Sequence, residues 1–551
     1  MKKWVSKKYI LGSLMLLLLI GIGIFFVFFK TVTITLNGTL TNNELQLVGD
    51  DLQVERLTSE KKEFVKATDV STTYKLTSTS SSRTFGELTV TVRTLNNDDF
   101  FIFTKFHNQT YQPVRLNMVI PFEVTFTEYE MTRFDSEKIN HEHDSTLGVD
   151  PTTTPHGIVE LTGENAYANM VISKNYNSKQ LTTSYNEQQR STLRELIKEH
   201  DEAKIKKGDK GLILTFPHLS KRNSLSESWL LYSEKPLFNE TKHFDEWEKH
   251  TLKEYKKINK WYTAEGPYGK LPWSIEPGTK LGYGRYFSLV HDRRHLDHYE
   301  ETKERYFYDF IINSVANLLV YDPKLHKPIE TEFTSTWLKD NYGIIAPFYD
   351  TRFNEYIAIH LQRISQLLEV SEYEEMALFY ADYLVDQSKK KNYISTKNGY
   401  LISDFYSDNP KQKQTHTSLN HALGEMNFLL ESYLLTKNED YLDVALNIRR
   451  GIEDIGDKWI KKNNDLWYQL NPDFTFHGKD YPLLTLEDLL KSQTKFEQVG
   501  IAKSNLFEEL ITSKTTYLVK EEIEITKKVV EALEQEGLED LVENYPHISN
   551  Y

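Results

Sequence analysis

Hydrophobic and polar positions fall into three successive patterns along this chain. Residues 9–29 lie almost wholly within "ILGSLMLLLLIGIGIFFVFF", an uncharged apolar run. From Thr31 to Phe238 the alternation is short and of period two, as in "TVTITLNGTL", "ELTVTVRTL" and "FFIFTKF". From about His243 the period becomes helical. Ile357, Leu361, Ile364 and Leu368 make one stripe in "FNEYIAIHLQRISQLL", and Leu419, Leu423, Met426, Leu430 and Tyr433 make another in "SLNHALGEMNFLLESYLL". Stripes of this spacing predict helices that bury one face.

The first pattern has about the 20 residues that a helix needs to cross the hydrocarbon core of a bilayer. Lys2, Lys3, Lys7 and Lys8 precede it, which places the N-terminus in the cytoplasm and the rest outside. A cleaved secretory signal is the competing reading. Phe25–Phe29 run into "KTVTITLNG" with no small-residue cleavage site, which favours an uncleaved anchor. The expected organisation is a cytoplasmic tail over 1–8, a transmembrane anchor over 9–29, a β-rich extracytoplasmic domain over 30–242 and a helical domain over 243–551. The chain is then a single-pass protein of the cell membrane.

Within the second pattern, β-branched and aromatic runs are separated by Asn, Gly, Asp and Ser, which predicts an antiparallel sandwich or barrel. Asn37-Gly38 between alternating runs reads as a hairpin tip. The stretch "NEQQRSTLRELIKEHDEAKI" reads as one polar surface helix. Nothing in this region reads as catalytic.

The helical part contains an internal repeat. "LLEVSEYEEMALFYADYL" from Leu367 matches "LLTKNEDYLDVALNIRRGI" from Leu434 in its closing Leu-Leu, its polar turn and the tyrosine opening the next helix. Each copy is followed by an excursion of alternating residues, "KNGYLISDFYSDNP" and "NNDLWYQLNPD", which predicts a short β-hairpin. Helical hairpins with their long loops on one side build an α/α toroid or a solenoid, because each unit buries its face only against its neighbours. A closed α/α toroid-like domain with a central cleft is expected.

Composition narrows the function classes. At 551 residues more than one core is expected. The net charge of −14 excludes nucleic acid or a polyanionic surface as a bulk partner. With no cysteine, disulfides, thiolate metal sites and a cysteine nucleophile are all excluded. His291, His295 and His298 in "HDRRHLDHYE" have the spacing to line one helix face for zinc, but the alternating charge suits a solvated helix and no HExxH is formed. The Gly pair of "GYGR" at Gly282 lacks the context of a nucleotide loop, and no G-x-S-x-G occurs. No metal and no cofactor are predicted.

Candidate chemistry concentrates on the excursions. They carry Tyr406 in "SDFYSDNP", Tyr468 in "LWYQL" and Tyr481 in "GKDYPLL". One tyrosine beside an aromatic neighbour reads as packing with a local hydrogen bond; three on recurrent loops of one rim point to a site. Asp404, Asp408, Glu425, Asp480, Glu487 and Asp488 supply carboxylates for a glycosidase pair, although acidic residues are abundant in this chain.

From Trp337 to Gln493 the order of elements resembles the C-terminal domain of the D-glucuronyl C5-epimerases of heparan-type polysaccharide synthesis. The elements are "PFYDTRFNEY" opening a helix, a hairpin with "EYEEMA", then "DFYSDNP", "SLNHALGEMNFLLESYLL", "WYQL" and "DYPLLTLEDLL". That family joins a β-rich part to an α/α domain on a membrane-anchored chain. The resemblance implies removal of the C5 proton of a uronic acid in a polysaccharide and its delivery to the opposite face, which needs two acid/base groups and strong donors on the substrate carboxylate. It implies Tyr468 and Tyr481 as the leading proton-transfer groups and Tyr406 as a third. Around them Tyr349, Arg352, Asp404, Asp408, Glu425, Gln469, His477 and Lys479 are expected to bind substrate, with a homodimer as the assembly. The chain departs from the family where Gln469, Leu470 and Asn471 follow Tyr468 in place of an arginine, leaving His477, Lys479 and Arg352 to meet the carboxylate. A phenol titrates near 10 and needs a cationic setting to act as a base. A polysaccharide lyase sharing the first step, a glycoside hydrolase, and a non-catalytic envelope protein binding glycan are the alternatives.

Overall fold

A computed structural model describes residues 31–40, 43–123, 125–134, 157–255, 260–287 and 293–549. The predicted cytoplasmic tail and membrane anchor lie outside the described residues, as does His291. Among the described residues no helix is long and apolar enough to cross a membrane.

The alternating runs pair into two antiparallel sheets. The smaller takes, in order, Thr31–Leu40, Asn43–Asp50, Val114–Glu123, Gly211–Ser220 and Lys204–Gly208. The larger, of 13 strands, is built around Asn175–Ser184, Leu225–Ser233, Phe100–Asn108, Thr84–Leu95, Ala67–Ser78 and Leu52–Phe64. Leu47, Met118, Ile120 and Leu214 of the first meet Leu76, Leu88, Ile102 and Leu230 of the second in one buried cluster. This is the core of a sandwich, in which alternate residues of each strand face inward.

Three local expectations are corrected. Asn37-Gly38 do not form the hairpin tip. They fall in a register irregularity between Thr35 and Thr39, and the pairing runs on to Leu40↔Asn43. The stretch read as a polar helix is instead strand Arg190–His200, paired with Asn175–Ser184 on one side and with Gly282–Arg285 on the other. Its Leu193 and Leu196 mimic a helical i, i+3 spacing because both faces of the strand are covered. Leu193 packs with Leu271 and Phe333, and Leu196 with Tyr176 and Trp261. The sheet also passes the expected boundary at residue 242, since Lys260–Thr263, Gly266–Lys270 and Gly282–Arg285 extend it. Runs of four or five residues are too brief for a period to register.

Twelve helices are described: α1 Thr241–Tyr255, α2 Arg293–Thr302, α3 Arg305–Tyr321, α4 Thr336–Tyr342, α5 Thr351–Leu368, α6 Ser371–Ala377, α7 Phe379–Lys390, α8 Leu419–Thr436, α9 Glu439–Ile455, α10 Leu484–Gln498, α11 Asn505–Lys520 and α12 Lys527–Gln535. Helices α5, α8 and α10 pack side by side, and α7, α9 and α11 form an outer layer against them. This is an α/α arrangement of successive hairpins. Helix α8 is buried on nearly all sides, as a helix apolar around most of its circumference must be.

Helix α3 joins the two parts. Its Phe307, Phe310 and Ala316 pack on Phe101, Phe103 and Trp229 of the large sheet, while its Ile311, Val315 and Leu318 enter the helical core. Beside that contact Arg93 is fully buried. Its Nε and Nη2 donate to the two Asp69 carboxylate oxygens at 2.8 Å each, and Nη1 donates to Asn313 Oδ1 and Asn317 Oδ1 at 2.7 Å each.

Candidate active site

The loops preceding the inner helices meet at one end of the helical part. Strand Tyr349–Asp350 leads into α5 and pairs with Phe405–Tyr406, setting Tyr349 opposite Tyr406 and Asp350 opposite Phe405. Strand Thr417–Ser418 leads into α8 and pairs with Trp467–Leu470, which pairs in turn with Phe476–Lys479 just before α10. Both expected excursion hairpins are present, Tyr393–Ser395 with Tyr400–Ile402 in the first and Trp467–Leu470 with Phe476–Lys479 in the second. They bring residues more than a hundred positions apart to the same helix N-termini.

Asp350 stands at the centre. It caps α5 by accepting a hydrogen bond from the Phe353 amide at 3.0 Å. A capping carboxylate is normally stabilised as the anion. Here burial, reinforced by the neighbouring Asp404 charge, pushes it up to about 7 in spite of the Phe353 amide and of Arg352. Asp404 behaves in the opposite way. Burial works against its ionisation, yet His421, His416 and Ser418 together hold it below the usual carboxylate range. It accepts from the Ser418 amide at 2.8 Å and the Ser418 hydroxyl at 2.5 Å, with His416 Nε2 at 3.3 Å and His421 Nδ1 at 3.5 Å. Burial drives His421 itself down to about 4, so at neutral pH it serves Asp404 as a dipole and not as a charge. Two carboxyls, Asp350 on a strand and Asp404 just before its partner strand, are thus tuned apart, one ready to exchange a proton near neutrality and one held as an anion.

The predicted tyrosines fall around Asp350 in two groups. Tyr468 and Tyr481 meet edge to face with ring centroids 5.8 Å apart. Gly478, at φ +87°, lies under the Tyr468 ring, where a Cβ would come within 2.9 Å of it. Tyr406 lies instead beside Tyr349, with the Lys390 ammonium 4.9 Å over its ring, and Tyr349 donates to Glu330 Oε1 at 3.1 Å. Burial raises the phenols of Tyr468, Tyr481, Tyr406 and Tyr349, with nearby carboxylates adding to it. None has its pKa lowered as a phenolate base requires; each is better suited to donating a hydrogen bond.

Arg352, Glu355 and Asp488 form an ion-pair cluster near Asp350. Arg352 Nη1 donates to Glu355 Oε2 at 2.6 Å and to the Asn420 carbonyl at 3.1 Å, and Nη2 donates to Asp488 Oδ2 at 2.9 Å. Gly424 permits this approach, because a side chain there would collide with both Arg352 and Glu355. The cluster borders a hollow of about 600 Å³ between α2, α5, α10 and α12. Beneath it Glu425 is fully buried, with no hydrogen-bond partner for either oxygen. Burial and the Asp404 charge raise it well above a normal glutamate, the nearby Thr351 hydroxyl acting the other way.

Several expected substrate contacts lie elsewhere. In the hairpin Trp467–Lys479, Tyr468 stands opposite Gly478, while Gln469 pairs with His477 and Trp467 with Lys479. Strand alternation sends Gln469, His477 and Lys479 to the face away from Tyr468. Gln469 is buried there and donates to Asn471 at 2.9 Å, while His477 and Lys479 are exposed. Asp408 is exposed in a groove next to Tyr349. Of the other carboxylates considered, Asp480 is buried against Lys514 at 2.7 Å and Thr485 at 2.6 Å. Among the described residues no group of three His, Asp or Glu is arranged to hold a metal.

No family model and no curated protein matches the chain. Solved structures are similar to part of it. The α-1,6-mannanase GH76A of Salegentibacter sp. HEL1_6, in complex with α-1,6-mannotriose, is 14% identical over 44% of this chain and 62% of its own, with a TM-score of 0.30. Cellobiose 2-epimerase from Bacillus thermoamylovorans B4167 is 13% identical over 42% of this chain and 59% of its own, at 0.33. The Lin0763 protein from Listeria innocua is 13% identical over 46% and 64%, at 0.31. The chain therefore spans about three-fifths of the length of each.

Proposed function

We propose that the chain is a carbohydrate-active enzyme in which Asp350 exchanges a proton with a sugar while Tyr468 and Tyr481 donate hydrogen bonds to it. The observation that carries this reading is the carboxyl pair: Asp350 held near neutrality beside the anionic Asp404, at the converging N-termini of α5 and α8. General acid–base catalysis is most effective when the group's pKa lies near the working pH.

Neutral sugars suit this site better than uronates. Arg352, the cation that acts on Asp350, is already engaged by Glu355 and Asp488. A uronate brought beside Asp350 and Asp404 would meet two further carboxyls with no uncommitted arginine to offset them. Proton transfer in the cleavage or isomerisation of a neutral glycan is therefore our first reading. C5 epimerisation of a uronic acid is the second, favoured by the placement of Tyr468 and Tyr481 on the same rim. The anchored, extracytoplasmic position suggested by residues 9–29 belongs to both.

One experiment separates them. The full-length chain is incubated in deuterated water with neutral glycans and with a glucuronate polymer. New reducing ends or an isomerised terminal sugar from the neutral set support the first reading; deuterium at C5 of the uronate supports the second. Activity that survives in Asp350→Asn would defeat both.

A further inference from the structure

One face of the large sheet changes character along its strands. In Phe100–Asn108, Phe101 and Phe103 pack under α3, whereas Lys105 and His107, further along the same face, line a cavity of about 690 Å³. A second cavity of about 420 Å³ shares Gln188, Glu330 and Pro347 with it and ends on Tyr349 and Asp408. Because Tyr349 is the strand partner of Tyr406, the two cavities form one groove from the sheet to the rim of the candidate active site.

We propose that this groove binds a neutral glycan chain several sugars long and delivers it to the site around Asp350. The inference rests on the saccharide reading of that site and adds to it where the chain is held and what charge it bears. Four basic and four acidic side chains line the larger cavity, so it offers a polyanion no net attraction. The charges are also tied to one another, Lys105 to Glu265 and Arg285 to Glu332. Donors and acceptors fixed in this way match hydroxyl groups and not a ligand charge.

Two details point to an absent ligand. Arg194 is 4% exposed and lines the cavity, yet its Nη1 has no hydrogen-bond partner. A buried donor left unmet is costly, and a sugar hydroxyl would satisfy it. Beside it the Tyr268 ring is stacked on Trp261 at 5.5 Å, with the Arg194 guanidinium 4.9 Å from its centroid. The wall therefore carries a tyrosine locked between Trp261 and Arg194, whose edge and hydroxyl can meet a sugar at little entropic cost. Each cavity alone has the size of a single small-molecule site, roughly 300–1,000 Å³; joined end to end they fit a chain.

Affinity of the full-length protein is measured for neutral gluco-, manno- and xylo-oligosaccharides of about two to eight units, the length range set by the groove spanning more than one such site. A glucuronate polymer serves as the anionic comparison. Affinity is expected to rise at least about tenfold with length in one neutral series, a step that corresponds to 1.4 kcal/mol. Tyr268→Ala and the exposed Thr182→Arg should each abolish that rise. Thr182→Arg is included because removal of Tyr268 also disturbs Trp261. Affinity independent of length, a rise unaffected by Thr182→Arg, or a preference for the anionic polymer would overturn the proposal. Length-dependent binding without turnover of any chain would leave the groove standing and count against the site reading.

Discussion

Two buried arginines, Arg93 on a sheet strand beside α3 and Arg352 in the first turn of α5, are treated differently. Arg93 meets a carboxylate with both oxygens aligned and two asparagine carbonyls beyond it. Arg352 is shared between Glu355 and Asp488, keeps an Nε without a partner, and lies close to Glu425, whose carboxyl is raised by burial well above the usual range. In the first cluster every guanidinium nitrogen has an acceptor, although the amide nitrogens of Asn313 and Asn317 are left without one, and it stands where two layers join. The second carries excess carboxyl groups and stands where a cavity opens. A guanidinium matched by one aligned carboxylate holds a fold together, while one set among excess carboxyls with shifted titrations marks chemistry.

That contrast can be broken in four places. Arg93→Met strands Asp69 in the interior and should destabilise the fold by about 3–5 kcal/mol, read by denaturant unfolding, with turnover per folded molecule unchanged. Asp350→Asn keeps the helix cap, since Asn caps as well as Asp, and should lower turnover by about 10²–10⁴ with little shift in melting temperature; the wild-type rate should change with an apparent pKa near 7.

Glu425→Gln tests the unmet carboxyl. Its folded pKa is raised, so the unfolded chain releases the proton first as pH rises. The folded state then loses stability above the ordinary glutamate range, until it too ionises. Glutamine removes that loss. The variant should equal wild type near pH 4 and exceed it by about 1–3 kcal/mol at pH 8, the scale of a buried charged group's unmet desolvation, as measured by thermal melts across pH. Tyr468→Phe should cost the least, about 0.5–1.5 kcal/mol of transition-state binding for one hydroxyl, seen as a fewfold to tenfold drop in kcat/KM. A complete loss of turnover there would instead make the phenol the proton-transfer group.

The broad design was legible in the chain. Alternation marked the sandwich, the stripe of Ile357, Leu361 and Ile364 marked α5, and the repeat after Leu367 and Leu434 marked successive helical hairpins. Tyr468 and Tyr481 lie together because one hairpin, Trp467–Lys479, separates them, whereas Tyr406, on the excursion that recurs in the repeat, falls beside Tyr349 instead. Asp350 was passed over although it lies between Tyr349 and Arg352. Its only local signal is that of a helix cap, and its shifted titration arises from burial reinforced by Asp404, a neighbour 54 residues away that only the folded strand pair brings close. His477 and Lys479 were overvalued for a related reason. Charge in a loop is visible in a sequence, but the side of a hairpin to which it turns depends on register, and here Gly478 sets that register beside Tyr468. Strand Arg190–His200 escaped notice because cover on both faces gives it a helix-like spacing.

Helix α3 is apolar towards both of its neighbours, so neither half of the chain owns it. Cutting before residue 243 would leave Phe101, Phe103 and Trp229 facing water, and the released helical half would keep Phe307 and Phe310 with nothing to cover them. Heating the intact chain should accordingly give one melting event that probes on the sheet and on the helices report at the same temperature.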